Sequence, residues 1–353
     1  MSVSLRKKIA QMLCFGFDGA HWSEALKLQE WLSSPDGLGW LIEFNYDCHT
    51  KTYGKNIQSF EQLQRFNQQI KDFYAHIHPN ALPLWLSIDV EGGKVDRLAK
   101  LDGYQTCPSA QSIASMTSAE RVQMWSKTAK YLKELYFDLN FAPVVDLNLS
   151  PDQGIFGPYG RCFSDDELVV SQLAQEYIET LANHGLMACL KHFPGHGSAK
   201  DDSHAGFVDV TASFEKQELI PYQNLIKIPG LVECIMTAHV INRELDDSGV
   251  PATLSKKMIN GILRKQFHYQ GLVVSDDLQM YAIAQYFSKE EAIVKAIEAG
   301  ADILMFCNQL GSDEPHGVID LIEHLVDSKR IDNQLIDNAF KRIVMHKTLK
   351  RSL

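Results

Sequence analysis

Eight short apolar runs, separated by longer stretches of helical spacing, set the strongest limit on what this chain can fold into. The runs are Met12–Phe17, Leu38–Phe44, Leu84–Asp89, Asn140–Asp146, Leu186–Phe193, Cys234–Val240, Leu272–Asp276 and Asp302–Phe306. Between them lie Ser59–Tyr74, Ser118–Tyr136, Asp165–His184, Ser213–Leu225, Ser255–Phe267, Lys289–Ala299 and Gly317–Val326. Their apolar residues recur three or four positions apart, the spacing of one helix face. In the third of these, Val169, Leu173, Tyr177 and Leu181 fall on one predicted face, and a final helix is predicted over roughly 331–349. Continuous apolar runs are strands covered on both faces, and alternation with helices is how parallel strands are joined. Eight such units predict a single (β/α)8 barrel of the TIM type over residues 1–353. An open doubly wound sheet shares the alternation. However, Phe15-Gly16-Phe17-Asp18-Gly19 after the first run lacks the GxGxxG spacing that receives a dinucleotide. With 45% hydrophobic residues, the chain can fill a core of that size.

The net charge of −10 argues against a nucleic-acid partner, which calls for a basic face. The densest basic cluster, Arg6-Lys7-Lys8, reads as a solvated helix start. No run reaches the roughly eighteen apolar residues of a membrane span. The opening MSVSLRKKIAQMLCFGF is interrupted by Gln11 and offers no cleavage site, so no signal peptide is expected. The seven cysteines are scattered and never form CxxC, and several sit in apolar runs such as Met187-Ala188-Cys189-Leu190. They read as reduced core residues of a cytoplasmic protein, a monomer or weak oligomer.

Polar residues close the apolar runs. Asp89, Asp146, Lys191–His192, His239 and Asp276 each stand at or near the end of one. In a barrel the C-terminal strand ends form one rim, where active sites are built, so these residues are expected to share a site. The richest segment is Lys191-His192-Phe193-Pro194-Gly195-His196-Gly197, followed by Asp202-Ser203-His204. Proline and glycine end the strand and make a loop. Asp202 lies close enough to His204 for a tight turn to set a carboxylate on the imidazole, orienting it and raising its proton affinity. The same residue types suit zinc, with His192, His196, His204 and Asp276 as ligands. In Gly271-Leu272-Val273-Val274-Ser275-Asp276-Asp277 a strand delivers two adjacent carboxylates. Strand neighbours point opposite ways, so only one can face the site, and the other can cap a helix. Ile88-Asp89-Val90-Glu91-Gly92-Gly93-Lys94-Val95-Asp96-Arg97 offers a carboxylate and a guanidinium, suited to sugar hydroxyls or to each other. Asp146, in Phe141-Ala142-Pro143-Val144-Val145-Asp146, has Arg161 downstream and could equally hold a loop.

Taken together and in this order, these segments resemble glycoside hydrolase family 3, in its β-N-acetylglucosaminidase branch. The resemblance runs from about Asp89 to Phe306 through IDVEGGKVDRL, FAPVVDLN, KHFPGHG with DDSH, MTAH, PATLS, GLVVSDDLQM and AGADILMF. It implies Asp276 as nucleophile, His204 as general acid/base on a mobile loop, and Asp202 as its partner. It implies Asp89, Arg97, Arg161, Lys191 and His192 as residues that hold the sugar. It further implies a one-barrel cytoplasmic enzyme of peptidoglycan recycling that uses no metal or other cofactor. The chain departs from the family pattern at Val90 (commonly Gln), Lys94 (commonly Arg), Leu41–Asn45, Pro151–Tyr159 and 205–210.

The expected reaction is retaining hydrolysis of a terminal β-linked N-acetylglucosamine from a small carbohydrate substrate, a muropeptide. A histidine replaces the second carboxyl group of the usual pair. Its ordinary pKa of about 6.5 suits proton transfer near neutrality. Lys191 or Arg161 beside Asp276 is expected to keep that carboxylate ionised. A neutral acid/base would also admit phosphate in place of water. The alternatives are a metal-dependent hydrolase and a non-catalytic sugar-binding barrel.

Overall fold

Each of the eight apolar runs contributes a parallel strand. In the computed structural model, which describes residues 3–200 and 208–349, these are β1 Leu13–Gly16, β2 Trp40–Ile42, β3 Trp85–Ile88, β4 Leu139–Asn140, β5 Met187–Phe193, β6 Cys234–Thr237, β7 Leu272–Val274 and β8 Leu304–Phe306. They pair in chain order from β1 to β7, and β8 returns to β1. In register, Cys14 faces Trp40, Trp40 faces Trp85, Leu139 faces Met187, and Leu13 faces Leu304. A parallel bridge between Val274 and Ile303 joins the last two strands and closes the ring. The fold is a (β/α)8 barrel, as the alternation predicts. Every residue of the eight strands is buried, which is why they read as unbroken apolar runs.

All eight strands are shorter than the apolar runs that predict them, and two of the runs are cut in mid-course. Of Asn140–Asp146 only Asn140 belongs to the regular ladder, because Pro143 has no N–H to give it. The chain regains a single bridge, Val144 to Lys191. Cys234–Val240 divides after Thr237; Val240–Ile241 pairs instead with Val208–Asp209, outside the barrel.

The α-helices of seven residues or more are α1 Leu5–Gln11, α2 Leu26–Ser33, α3 Phe60–Ile77, α4 Ser118–Glu134, α5 Glu167–Ala182, α6 Ile220–Ile226, α7 Lys289–Ala299, α8 Pro315–Asp327 and α9 Asn333–Leu349. A π-helical stretch, Lys257–Gln266, links β6 to β7. Capping boxes start α3 (Ser59 with Gln62), α4 (Thr117 with Glu120) and α7 (Ser288 with Glu291), so these starts are written in the sequence. On α5, Leu173, Tyr177 and Leu181 are buried as predicted, but Val169 is exposed and Val170 takes its place. Steps of four overshoot a turn of 3.6 residues, so a ridge of fours drifts off the buried face within three steps. Arg6 and Lys8 lie on α1 but are not simply solvated. Arg6 pairs with Asp36, Asp320 and Glu323, and Lys8 with Asp337, tying α1 to α8 and α9.

The N-terminal end of the barrel is plugged by Lys347 of α9. Its buried ammonium donates to Gln11 Oε1 (3.0 Å), Gly39 O (2.7 Å) and Pro83 O (2.8 Å) and lies over the Trp85 ring. Among the described residues, no helix is long and apolar enough to cross a membrane. All seven cysteines are free; six are buried and Cys48 is exposed.

Candidate active site

At the opposite end, the strand termini surround a cavity of about 310 Å3. Asp89, Arg97, Arg161, Lys191, His192 and Asp276 all line it. Asp202 and His204 lie outside the described residues.

β3 delivers the first group. After Ile88 the chain runs through Val90–Gly92, turns, and pairs back through Val95–Asp96, which returns Arg97 to the rim. Gly92 has φ +98°, and a Cβ there would sit 2.2 Å from the Pro108 carbonyl oxygen, so only glycine fits. Asp89 and Glu91, two apart on an extended segment, point the same way. Lys191 Nζ lies between them, 2.8 Å from Asp89 Oδ1 and 2.7 Å from Glu91 Oε1. Arg161 grips Glu91 with both Nε and Nη2 at 2.8 Å, the bidentate fork that a guanidinium matches to a carboxylate. Arg97 Nη2 stands 3.9 Å from Asp89 Oδ2.

Burial alone would raise the Glu91 pKa, but Arg161 and Lys191 outweigh it and hold this carboxyl well below the usual range. Burial opposes charge on Lys191 too, yet Asp89 and Glu91 raise its pKa. Glu91 was not among the residues expected to act, although it buttresses both Arg161 and Lys191. Its two-residue spacing from Asp89 was the available signal. Lys191 and Arg161, the cations expected near Asp276, are engaged by Asp89 and Glu91.

The loop after β5 is held from beneath by two buried acids. Asp146 accepts from the His192 amide (3.2 Å), from His192 Nδ1 (2.7 Å) and from the His196 amide (2.9 Å). Burial would raise the Asp146 pKa, but His192 holds it below the usual value. Glu218, on the turn leading into α6, accepts from the Gly197 amide (3.0 Å) and the Ser198 amide (3.3 Å). Burial pushes its carboxyl up to about 7. His196 is enclosed as well, and burial lowers it to about 4. The His192 and His196 rings both pack on Phe156, with their centroids 6.2 Å apart.

β7 delivers the carboxylate pair, and the structure distinguishes its members. Asp277 is buried, and its Oδ1 accepts from the amides of Gln279 and Cys307, each at 3.1 Å. Burial pushes it up to about 7, with Asp276 adding to the rise. Both border the cavity, and Asp276 is the more exposed of the two. His239 braces this turn from below, with Nε2 2.8 Å from the Asp277 carbonyl oxygen and Nδ1 2.9 Å from Thr253 Oγ1.

The rim pattern is therefore corrected in part. Asp146 and His239 do not line the cavity; they hold the backbone that carries the residues which do. Val90 and Lys94, where the chain departs from the family pattern, also lie outside the lining, whereas Phe44 is part of it. Among the described residues, no three His, Cys, Asp or Glu side chains converge as a metal cluster.

A carboxylate pair among fixed acids and bases at the C-terminal rim of a closed barrel defines the class: a (β/α)8-barrel enzyme with its site in the usual place. The chain belongs to glycosyl hydrolase family 3, whose N-terminal domain model matches residues 4–345. It is 33% identical to a β-hexosaminidase of Haemophilus influenzae over 83% of this chain and 82% of that protein. It is 31% identical to β-hexosaminidase A of Pseudoalteromonas piscicida over 72% of this chain but only 44% of that longer protein. Among solved structures it is similar to a family 3 β-N-acetylglucosaminidase from Paenibacillus, with TM-score 0.86 and 28% identity over 99% of this chain and 63% of that one. It is also similar to LpqI of Mycobacterium tuberculosis, with TM-score 0.80 and 29% identity over 98% and 94%.

Proposed function

We propose that this chain is a retaining β-N-acetylglucosaminidase that releases terminal N-acetylglucosamine from muropeptides through a covalent sugar ester on Asp276. The observation that carries the reading is the division of labour in the carboxylate pair. Both border the rim cavity, but Asp277 is buried with its Oδ1 held by the amides of Gln279 and Cys307, while Asp276 is the more exposed member.

In this mechanism Asp276 attacks C1 of the sugar as the glycosidic C–O bond breaks, and His204 gives its proton to the departing oxygen. His204 then takes a proton from water, which attacks C1 and frees Asp276. Asp202 holds the imidazole and favours its charged form. The Asp89–Lys191–Glu91–Arg161 array supplies fixed donors and acceptors for sugar hydroxyls. Asp277, pushed up to about 7, is largely uncharged below that pH and so adds little repulsion to its neighbour.

The muropeptide substrate and the cytoplasmic setting rest on the motif resemblance and on relatives named β-hexosaminidases. The same reading makes the barrel the catalytic domain of a monomer or weak oligomer without a metal. Turnover of a chromogenic β-N-acetylglucosaminide tests it. Asp276→Asn is expected to lose at least about 1,000-fold in kcat, a cost of the size met when an enzyme loses its nucleophile. Near-normal turnover by that variant removes the proposed nucleophile. Activity is expected to survive chelation, and loss restored by zinc favours the metal alternative.

A further inference from the structure

The seam between β7 and β8 closes the barrel beside Asp276, and the backbone supplies only part of it. A parallel bridge joins Val274 to Ile303. Above it, three amides of the β8 chain turn to side-chain oxygens of the β7 chain. Met305 N donates to Ser275 Oγ (2.9 Å), Cys307 N to Asp277 Oδ1 (3.1 Å) and Asn308 N to Gln279 Oε1 (2.7 Å). Every second side chain from 275 to 279 is thus a rung across the seam, and Asp276 stands between the first two. We infer that Ser275 and Gln279 are positioning residues for Asp276, fixing the backbone that presents its carboxylate to the sugar.

Neither residue lines the rim cavity, whereas Asp276 does, so both act from behind it. Ser275 and Gln279 are buried. The Gln279 carboxamide is engaged at both ends. Besides accepting from the Asn308 amide, it donates through Nε2 to Asn308 Oδ1 (2.9 Å) and Asp313 Oδ2 (2.8 Å). Asn308 meets it from a left-handed backbone conformation, φ +50°. A Cβ at Gly311 would stand 2.5 Å from Gln279 Nε2, so this clasp is closely packed. Asp276 Oδ1 accepts from the Asp277 amide at 2.8 Å, which ties its carboxylate to the backbone of the same turn. Without an acceptor at 275 or 279, a buried amide of the β8 chain loses its partner, and the turn shifts to find another. An attacking oxygen must stand roughly 3 Å from its carbon and in line with the bond that breaks, so a small shift is costly.

This inference rests on the hydrolase reading with Asp276 as nucleophile, so the test separates the two. Ser275→Ala and Gln279→Met each remove one acceptor from the seam. Their kcat and KM for a chromogenic β-N-acetylglucosaminide are measured per folded enzyme, well below each melting temperature. Each substitution is expected to lower kcat by roughly ten- to a hundredfold, the cost of a displaced reacting group. KM should stay within about threefold of wild type, because no contact with bound sugar is removed. Ser275→Thr, which keeps the hydroxyl, should regain most of the kcat lost in Ser275→Ala. If one variant does not fold, the other carries the test. Residues that only supported the fold would lower the melting temperature and leave kcat of the folded enzyme unchanged. That result, or a loss confined to KM, overturns the positioning role and leaves the hydrolase reading standing. If the wild type cleaves nothing, or Asp276→Asn cleaves normally, the nucleophile falls and the positioning role falls with it.

Discussion

Buried between Lys191 and Arg161, Glu91 is the residue on which the cavity's charge balance turns. Removing one partner of a buried ion network strands the others. Glu91→Gln is therefore expected to cost about 3 kcal/mol of stability, and about a hundredfold in kcat/KM as Lys191 and Arg161 lose their shared anchor. Denaturant unfolding and steady-state kinetics read the two effects. A variant as stable and active as wild type contradicts this role. The pH dependence has a definite sign. Glu91 is depressed, so its contribution is present above the ordinary carboxylate range and is lost as the solution is acidified. Glu43 behaves in the opposite way. It is fully buried at the end of β2, and burial pushes it from 4.5 up to about 8. A raised acid binds its proton in the folded state, so its contribution falls as pH rises from 4.5 to about 8, by about 1.4 kcal/mol per pH unit. Melting temperatures across that range should decline less steeply in Glu43→Gln than in wild type. Parallel curves would remove Glu43 from the account. Legibility at this scale was uneven. Asp89, Lys191, His192 and Asp276 stand at strand ends and could be read directly, but spacing left open which Asp of the pair is the more exposed. Glu91 was missed because its importance lies in contacts with residues 70 and 100 positions away, which spacing does not reveal.

Among the elements, the loop after β5 depends most on support from outside itself. Its amides at His192, His196, Gly197 and Ser198 are taken up by Asp146 and Glu218, from two different βα units. A Cβ at Gly197 would stand 1.7 Å from the Leu147 carbonyl oxygen, so the loop is also packed hard against its neighbour. Glu218→Ala is expected to leave those amides unsatisfied and to lower kcat/KM by roughly ten- to a hundredfold, although Glu218 does not line the cavity. Glu218→Gln, which keeps an acceptor, should recover much of the loss. If Glu218→Ala has wild-type kinetics, the clamp has no functional weight. Strand positions were largely legible because a buried parallel strand is apolar throughout. The starts of α3, α4 and α7 were placed by apolar spacing, and the capping boxes found there agree with it. What escaped was short or irregular. α2 has only eight residues, too few for periodicity to stand out, and of α1 only the start at Arg6-Lys7-Lys8 was read. The stretch after β6 winds as a π-helix, which shares its apolar spacing with ordinary helix over so few turns.

For the molecule as a whole, stability and chemistry occupy opposite ends of the barrel. The N-terminal end is closed by Lys347, whose ammonium serves three oxygens from separate parts of the chain. Lys347→Ala should lower stability by about 2–4 kcal/mol, from the cavity left and the oxygens unsatisfied, yet leave kcat/KM intact well below the melting temperature. Kinetic damage at low temperature would show that the two ends are coupled. The central claim lies at the other end, where Asp276 is taken to bond covalently to the sugar. A fluorinated N-acetylglucosaminyl fluoride, which slows release of the sugar from the enzyme, tests it directly when followed by mass spectrometry of the intact and digested protein. The account predicts one added sugar per chain, located on Asp276. An adduct on another residue, or none in a preparation that turns over substrate, would contradict it.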